Sequence, residues 1–314
     1  MRKTCLDLVY QLAQADERVI FVGSDLGVGT LDELKAEFPE RFLMEGVSEA
    51  HVVGMAAGLA MSGYVPYVNT IASFITRRCL EQLILDVCLE QLPVRLIGNG
   101  AGLVYAPLGP THQATDDLAH LRAMPEMTIL APADAEEMRQ LMPQTLDHAG
   151  PIYIRLAKGY DPIVTSEATE RAVLGRGRWL NASSGEALAI TTGVTAGMAL
   201  DAAKILSDKG IKLSVLHLPT VKPLDEEMIL AAARGAQAVV TIEEHSVIGG
   251  LGSAVAELLL EAGVTPRFRR LGLPDAFADG YGSQRALLAK LGLSAASVAD
   301  AVQKLFAHRR MKVV

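Results

Sequence analysis

Several features that mark other protein classes are scarce or missing in this sequence of 314 residues. The cysteines, Cys5, Cys79 and Cys88, show no CxxC spacing and cannot all pair, so we expect free thiols in a reducing compartment, the cytoplasm. The formal net charge is -7 and the basic residues are scattered, which gives no electrostatic footprint for nucleic acid. The GxSxG, HExxH and P-loop motifs do not occur. A disulfide scaffold, a basic nucleic-acid binder and several common enzyme classes are therefore excluded.

Charged residues are missing from one long stretch, residues 50–76, which is long enough to raise the question of a membrane span. A helix followed by a buried strand explains this stretch better, because helix-interrupting residues divide it: Gly54, Gly58, Gly63, Pro66 and Asn69. At the N-terminus, Asp7 interrupts the apolar residues and no small-residue cleavage site follows. We therefore expect neither a signal peptide nor a membrane segment.

Apolar runs of strand length alternate with helical patterns along the first half of the chain. Five runs read as strands with little polar alternation, which suits a sheet covered on both faces: 18–24, 64–70, 94–100, 127–133 and 151–157. Helical periodicity lies between them, at 73–91 and 134–149 among others. This pattern predicts an α/β domain with a mostly parallel sheet over residues 1–160.

A second α/β unit follows a segment in which the pattern lapses. Residues 161–185 are rich in charges, Thr, Ser and Gly, and read as a linker that crosses the surface. In residues 186–314 we predict strands at 187–193, 212–218, 238–244 and 267–273, and helices near 196–209, 225–235, 252–262 and 295–307. The expected architecture is two three-layer α/β/α domains.

An acidic residue begins an otherwise small and apolar helix in EGVSEAHVVGMAAGLA, residues 45–60. Ser48 fits the N-cap, Glu49 the first turn, and Gly63 the C-terminal stop. The helix dipole favours a glutamate in a first turn, so a structural role explains Glu49 when it is considered alone. The small residues that follow leave no broad polar face, which indicates a helix packed on several sides with its first turn in an interface or pocket.

A long uncharged loop, residues 101–115, follows the predicted strand 94–100 and is called the His112 loop below. It lies beyond the carboxyl end of a strand, where α/β sheets place their ligands. A loop histidine is more often a surface residue or a satisfied hydrogen-bonding group than a catalyst. Uncharged loops of this length are nevertheless uncommon unless they are functional, so His112 is a candidate catalytic residue.

Phe74, Arg77 and Arg78 share one face at helical spacing just after a predicted strand. Two interpretations remain open from the pattern: plain packing with solvated arginines, or a platform for a flat ring beside an anion site. The adjacent residues Glu243, Glu244 and His245 point in different directions at a strand end, which argues against a metal site.

Four segments together resemble the transketolase family of thiamine diphosphate enzymes. They are MEGVSEAHVVGMAAGLAMSGYVPYV, SFITRRCLEQ, GPTHQATDDLAHLRAMPEMTILAPADAEE and TIEEHSVIGGLGSAVAE. The resemblance extends over nearly the whole chain. It implies the family's pyrimidine-binding domain over residues 1–160 and its C-terminal domain over residues 186–314.

The resemblance assigns roles at the cofactor. Glu49 matches the glutamate that hydrogen-bonds the pyrimidine ring of thiamine diphosphate, and Phe74 matches the aromatic residue that stacks on that ring. His112 matches a histidine near the reactive carbon, suited to moving protons on a substrate oxygen. Three further residues are expected beside the cofactor: Asp25, Leu26 and Ile71.

At the substrate, the resemblance implies contacts from Arg77 or Arg78, His112, Leu108 and Lys158, and leaves open which arginine faces the substrate. Leu108 stands where transketolases commonly have an aspartate that contacts a substrate hydroxyl, and Lys158 stands where an arginine often binds a phosphate. Ile71 replaces a second aromatic residue. Because an apolar side chain cannot accept a hydrogen bond from a sugar hydroxyl, Leu108 puts an ordinary sugar phosphate in doubt.

The family's GDG...N motif, which holds Mg²⁺ and the diphosphate, does not occur in this sequence. We therefore expect the metal ligands on a separate partner subunit resembling the N-terminal half of transketolase. The expected assembly is an α2β2 heterotetramer with the active site at the shared interface. The predicted function is the C-terminal subunit of a two-chain enzyme that transfers a two-carbon ketol unit.

Two alternatives remain from the sequence. One is a 1-deoxyxylulose-5-phosphate synthase or another thiamine diphosphate acyloin synthase or decarboxylase, which shares the Glu and Thr-His-Gln features. The other, from a different class, is a non-catalytic assembly subunit. The presence of Glu49, Phe74 and His112 argues against the second alternative.

Overall fold

The computed structural model describes residues 1–24, 30–157, 161–166, 168, 170–182 and 186–307. The first half contains α1 (Arg2–Ala15), β1 (Val19–Gly23), α2 (Asp32–Glu37), β2 (Phe42–Met44), α3 (Glu49–Met61), β3 (Val65–Ile71), α4 (Ala72–Arg77), α5 (Leu80–Gln82), β4 (Arg95–Asn99), α6 (Asp117–Arg122), β5 (Thr128–Leu130), α7 (Ala135–Leu141) and β6 (Ile152–Leu156). A π-helix (Leu83–Cys88) continues α5, and short 3-10 turns occur at Pro39–Arg41, Ala106–Leu108, Pro110–His112 and Met142–Thr145.

The second half contains β7 (Arg178–Asn181), β8 (Ala187–Thr191), α8 (Thr195–Ser207), β9 (Leu213–His217), β10 (Thr220–Lys222), α9 (Glu226–Arg234), β11 (Ala238–Ser246), α10 (Leu251–Glu261), β12 (Arg267–Leu273), α11 (Gln284–Lys290) and α12 (Ala295–Ala307). Within the described residues, no helix has the length and apolar character needed to span a membrane.

The first domain is built on a seven-stranded sheet in the order β10-β5-β6-β4-β3-β1-β2. Its strands are parallel except β10, which pairs antiparallel with β5. Neighbouring residues of one strand enter different cores because side chains alternate across a sheet: Val68 joins the cluster with Val52 and Ile75, and Tyr67 joins the cluster with Leu34. Both faces are covered, which explains the continuous apolar runs.

The second domain repeats this arrangement around a five-stranded sheet in the order β12-β11-β8-β9-β7. Strand β7 pairs antiparallel with β9, and the other pairs are parallel. One face packs on α8 and α12 through residues such as Ala199 and Val298, and the other on α9 and α10 through Ile229 and Val255. The prediction of two three-layer α/β/α domains, the first with a mostly parallel sheet, is confirmed.

Three local features differ from the sequence predictions. The segment predicted as a linker, 161–185, contains strand β7, whose Arg178 is buried rather than exposed on the surface. Strand β10 was not predicted, because three residues are too few to show a strand periodicity. It forms an edge strand of the first sheet, although it belongs to the second half of the chain. The helix predicted at 73–91 is divided after Arg77 and resumes as α5 and the π-helix.

Buried ion pairs join the two domains. Glu137 of α7 lies 2.9 Å from Nε2 of His217 on β9 and accepts a hydrogen bond from Nη1 of Arg178 on β7 at 3.2 Å. Burial opposes ionisation of Glu137, but the charge and hydrogen bond of His217, the Ala133 N–H and the Arg178 charge together hold its pKa below the ordinary value. The second domain is therefore attached to the first through paired charges as well as apolar contacts.

Candidate active site

Glu49 begins helix α3, and its side chain is only 4% exposed. Ser48 occupies the predicted N-cap position, but its hydroxyl donates to the carbonyl of Glu45 at 3.0 Å and makes no side-chain cap. The helix packs its small residues against the first core, which fixes the first turn, and it ends at Ser62 before Gly63 (φ 94°). The glutamate is therefore held in a buried first turn, as the sequence predicts.

Arg78 covers this carboxylate. Its Nη1 donates to Oε2 of Glu49 at 2.9 Å, and its guanidinium carbon lies 3.8 Å from the ring centroid of Phe74. The two contacts are compatible because Phe74 and Arg78 are one helical turn apart. A planar, hydrogen-bonding group thus lies on the Phe74 ring and binds Glu49 at the same time.

His112 also contacts the Phe74 ring. The ring centroids are 5.1 Å apart with an interplanar angle of 60°, an edge-to-face arrangement. Nδ1 of His112 is 2.9 Å from the hydroxyl oxygen of Thr111, which leaves Nε2 as the nitrogen open to another partner. The structure therefore brings together Glu49, Phe74, Arg78 and His112.

Arg77 points to a different partner from Arg78. Its guanidinium forms a two-pronged ion pair with Asp116, at 2.7 and 2.9 Å, and donates to the carbonyl of Gln113 at 3.0 Å. Asp116 is a partner of Arg77 that the sequence did not reveal, since an aspartate before a helix is usually read only as a cap. Arg77 ties α4 to the end of the His112 loop, and Arg78 ties it to Glu49.

The His112 loop is held by the second domain. The N–H of Leu103 donates to Oε1 of Glu244 at 2.7 Å, and the N–H of Ser246 donates to the carbonyl of Thr115 at 2.8 Å, so strand β11 binds both ends of the loop. Gln284 donates to both oxygens of Glu244. Gly102 is required here, because it has φ 64° and an added Cβ would lie 2.5 Å from Oε1 of Glu244.

Two carboxylates of β11 titrate abnormally because they are buried. Burial raises the pKa of Glu243 to about 7, against the hydrogen bonds it accepts from the N–H groups of Leu251 and Gly252. Burial also raises the pKa of Glu244, although Leu103 and Gln284 donate to it. Among the described residues, no group of three or more His, Cys, Asp or Glu side chains could hold a metal ion.

The remaining predicted site residues are distributed unevenly. Leu108 ends a 3-10 turn of the His112 loop and is 52% exposed, and Ile71 ends β3 directly before α4. Asp25, Leu26 and Lys158 lie outside the described residues.

Buried polar atoms without a hydrogen-bond partner lie at the carboxyl ends of β3 and β4 and in the elements that follow. Four of the eleven such atoms found among the described residues lie there: Nδ2 of Asn69, Oγ of Ser73, Oδ1 of Asn99 and Nε2 of Gln113. In the sequence, the two asparagines are visible as polar residues near the carboxyl ends of otherwise apolar strands. Because buried polar groups are nearly always paired, such atoms near one edge of a sheet are typical of a ligand site.

Two family descriptions match this chain: "Transketolase, pyrimidine binding domain" over residues 1–160, and "Transketolase, C-terminal domain" over residues 177–298. The chain belongs to the transketolase family. This transketolase-type chain therefore corresponds to the C-terminal half of the family architecture, within a class of thiamine diphosphate-dependent transferases.

Relatives of two lengths resemble this transketolase-type chain. A transketolase family protein of Sinorhizobium fredii is 42% identical over 85% of the chain and 78% of its own length. A 6-deoxy-6-sulfo-D-fructose transketolase subunit of a Clostridium species is 36% identical over 99% of the chain and 96% of its own length. A 1-deoxy-D-xylulose-5-phosphate synthase of Geobacter sulfurreducens is 40% identical over 96% of the chain, but the chain spans only 47% of that enzyme.

Among solved structures, one described as "Split gene transketolase, inactive beta4 tetramer" has a TM-score of 0.89 and 36% identity, with 98% of each chain covered. The transketolase of Campylobacter jejuni has a TM-score of 0.81 at 19% identity over 46% of its length, which shows a shared fold.

Proposed function

We propose that this chain is the C-terminal-half subunit of a two-chain, thiamine diphosphate-dependent enzyme that transfers a two-carbon ketol unit from a ketose donor to an aldehyde acceptor. The observation that carries the proposal is the cluster in which the buried carboxylate of Glu49, the Phe74 ring and the His112 imidazole meet. We propose residues 1–160 as the pyrimidine-binding domain and residues 186–314 as the C-terminal domain, with 161–185 between them.

The residues present fit the pyrimidine part of the cofactor. The Arg78 guanidinium is flat, stacks on Phe74 and binds Glu49, so the space beside these residues accepts a planar group that donates a hydrogen bond. Glu49 and Phe74 would hold the pyrimidine ring, with Ile71 beside it, and we propose Asp25 and Leu26 as further contacts. The bound cofactor supplies the ring system that stabilises a carbanion.

The protein's own groups have separate tasks. Glu49, fixed in a buried first turn, holds a proton at the pyrimidine nitrogen and keeps it away from water. His112 moves a proton at a substrate oxygen through Nε2, since Thr111 is within hydrogen-bond distance of Nδ1. Arg77, Arg78 and Lys158 are the cations we propose for an anionic part of the substrate.

A partner subunit is supported by the surface beside Glu49. An open cleft of about 550 Å³ is lined by Arg77, Arg78 and apolar residues of α5 and the π-helix. Three of the apolar residues that line it, Leu80, Ile84 and Leu85, are 40%, 38% and 48% exposed. Exposed apolar residues next to a proposed site are typical of an interface, and we propose that the partner binds here and supplies the Mg²⁺ and diphosphate ligands in an α2β2 heterotetramer.

The relatives support a partner subunit. The Clostridium relative of nearly equal length is named a subunit, and the structural neighbour of nearly equal length is described as an inactive beta4 tetramer of a split gene transketolase. The described cysteines are free and buried, which supports a reducing, cytoplasmic location.

The substrate class is constrained by Leu108. Its exposed, apolar side chain offers no acceptor to a sugar hydroxyl, so we propose a substrate that lacks that hydroxyl or leaves it uncontacted. A 1-deoxyxylulose-5-phosphate synthase reaction is the second candidate, favoured by the 40% identity to the Geobacter enzyme over 96% of this chain.

Reconstitution tests the proposal. The chain should be purified alone and together with the product of a neighbouring open reading frame of about 270 residues that carries GDG...N, the size of the missing half at ordinary domain lengths. We expect thiamine diphosphate-dependent ketol transfer only from the pair. Full activity of the isolated chain would contradict the two-chain proposal, and carbon dioxide release from pyruvate would favour the synthase reaction.

A further inference from the structure

The guanidinium of Arg78 occupies two surfaces that the proposed cofactor needs. Its Nη1 donates a hydrogen bond to Oε2 of Glu49 at 2.9 Å. Its central carbon lies 3.8 Å from the centroid of the Phe74 ring. A pyrimidine ring stacked on the same ring face and bonded to the same carboxylate would overlap the guanidinium. A pyrimidine ring that uses this face of Phe74 and this oxygen of Glu49 therefore competes with the guanidinium of Arg78.

We propose that Arg78 is an internal occupant of the pyrimidine site, which closes Glu49 and Phe74 in the free chain and must turn away before the cofactor can bind. This inference rests on the proposed function. Arg78 would leave Glu49 and Phe74 before the cofactor binds, so its contact with them is autoinhibitory.

The neighbouring arginine shows why this position is displaceable. Arg77 is held by two short hydrogen bonds to Asp116 and one to a backbone carbonyl, so it is anchored to the His112 loop. Among the described residues, Arg78 makes one side-chain hydrogen bond, to Glu49, and its side chain is about half exposed in the cleft. Glu49 is buried and needs a hydrogen-bond donor, which a bound ring supplies in place of the arginine, whereas the displaced Arg78 is already half exposed and can remain in the same cleft, solvated.

Displacement reduces apparent affinity, because a ligand binds only the fraction of molecules in which the site is open. The isolated chain therefore binds the pyrimidine part more weakly than its carboxylate and aromatic ring alone would allow. Removing the occupant should strengthen binding, which is the opposite of the result expected for an arginine that contacts the ligand.

The test uses isothermal titration calorimetry to measure the affinity of the isolated chain for thiamine. Thiamine carries the pyrimidine and lacks the diphosphate. We expect Arg78→Met to bind thiamine about fivefold more tightly than the wild type. Arg139→Met is the control, because Arg139 is also a half-exposed arginine paired with a glutamate and has no role in the site; it should leave the affinity within about twofold of the wild-type value. Adding Glu49→Gln to Arg78→Met should remove the gain, because the ligand then loses its carboxylate.

A second measurement does not depend on the variant. In the wild-type chain, thiamine should shift the NMR signal of the Arg78 Nε–H group and leave that of Arg77 in place. Equal or weaker binding by folded Arg78→Met, no thiamine binding by either protein, or an unmoved Arg78 signal at saturation would each overturn the proposal. The proposed function is decided separately by turnover of the Glu49→Gln complex, so the two can fail independently.

Discussion

Leu103 and Glu244 form a hydrogen bond of 2.7 Å that joins the His112 loop to the second domain. The two residues are 141 positions apart, and Gln284 completes the group by donating to both oxygens of Glu244. The second domain thereby fixes one end of the loop that carries a residue of the candidate site.

The first prediction concerns this contact. Glu244→Ala leaves the buried N–H of Leu103 and the Gln284 amide without their acceptor, so we expect a loss of about 3 kcal/mol in the free energy of unfolding. Hydrogen exchange should speed up at Leu103 and in the rest of the His112 loop. Glu257→Ala, which removes an exposed carboxylate paired with Arg122, is the control and should cost less than about 1 kcal/mol. Unchanged exchange at Leu103 would contradict the prediction.

Glu49→Gln tests the proposed catalytic role. The amide keeps the size of the side chain, so folding and partner binding should be largely retained. Turnover in the reconstituted complex should fall by at least about 100-fold, the usual worth of a positioned acid–base group. The check is steady-state kinetics at saturating cofactor, with circular dichroism to verify the fold. Wild-type turnover in the variant complex would rule out the role assigned to Glu49.

The pH dependence of stability should contain a contribution from Glu243, because burial raises its pKa from the ordinary value of 4.5 to about 7. Between these values the native state holds a proton that the unfolded state has released, so this group lowers the free energy of unfolding as pH rises through the window. The effect amounts to about 2 kcal/mol between pH 5 and pH 8. His148 and His245, whose pKa values burial lowers, act in the opposite direction.

Comparison with Glu243→Gln isolates the Glu243 contribution from the histidines. Denaturant unfolding of both proteins at pH 5, 6, 7 and 8 should show the wild type losing stability relative to the variant as pH rises. Glu257→Gln, also a glutamate of the second domain but exposed, should show no such trend. A difference between wild type and Glu243→Gln that does not change with pH would refute the assignment.

The last prediction concerns the charged group between the domains. Glu137→Gln leaves the buried Arg178 and His217 without a carboxylate partner, and breaking a buried pair in this way costs about 3–5 kcal/mol. Glu136→Gln on the same helix is the matched control, because the Glu136 side chain is 42% exposed and its ion pair with Arg139 is at the surface; it should cost less than about 1 kcal/mol. Urea unfolding of the two variants measures the difference, and similar midpoints would contradict the expectation.

Much of the fold could be predicted because its strands are apolar and covered on both faces. Strands β1, β3 and β4 fall within the predicted runs 18–24, 64–70 and 94–100. Strand β10 could not be found, because its three residues pair with a strand of the other domain and show no period of their own. Strand β7 could not be found for a related reason. An arginine such as Arg178 is expected at the surface, and its burial depends on an ion pair with Glu137, which is distant in the sequence.

The candidate site was likewise predictable in part. The positions of Glu49 in a first turn and of Phe74 one turn before Arg78 follow from helical spacing, and the sequence predicts both. The sequence left Arg77 and Arg78 equivalent. The structure separates them, because Arg77 meets Asp116, a residue 39 positions away.

The sequence by itself determined the α/β class, the family resemblance, and the positions of Glu49 in a first turn and of Phe74 one turn before Arg78, because these depend on side-chain period and on residues a few positions apart. Only the tertiary structure decided which groups meet: His112 with Phe74, Arg78 with Glu49, and Leu103 with Glu244. Parallel strands place their carboxyl ends at one edge of the sheet, and the packing of helices and of the second domain sets the distances between side chains there. No spacing along the chain encodes those distances.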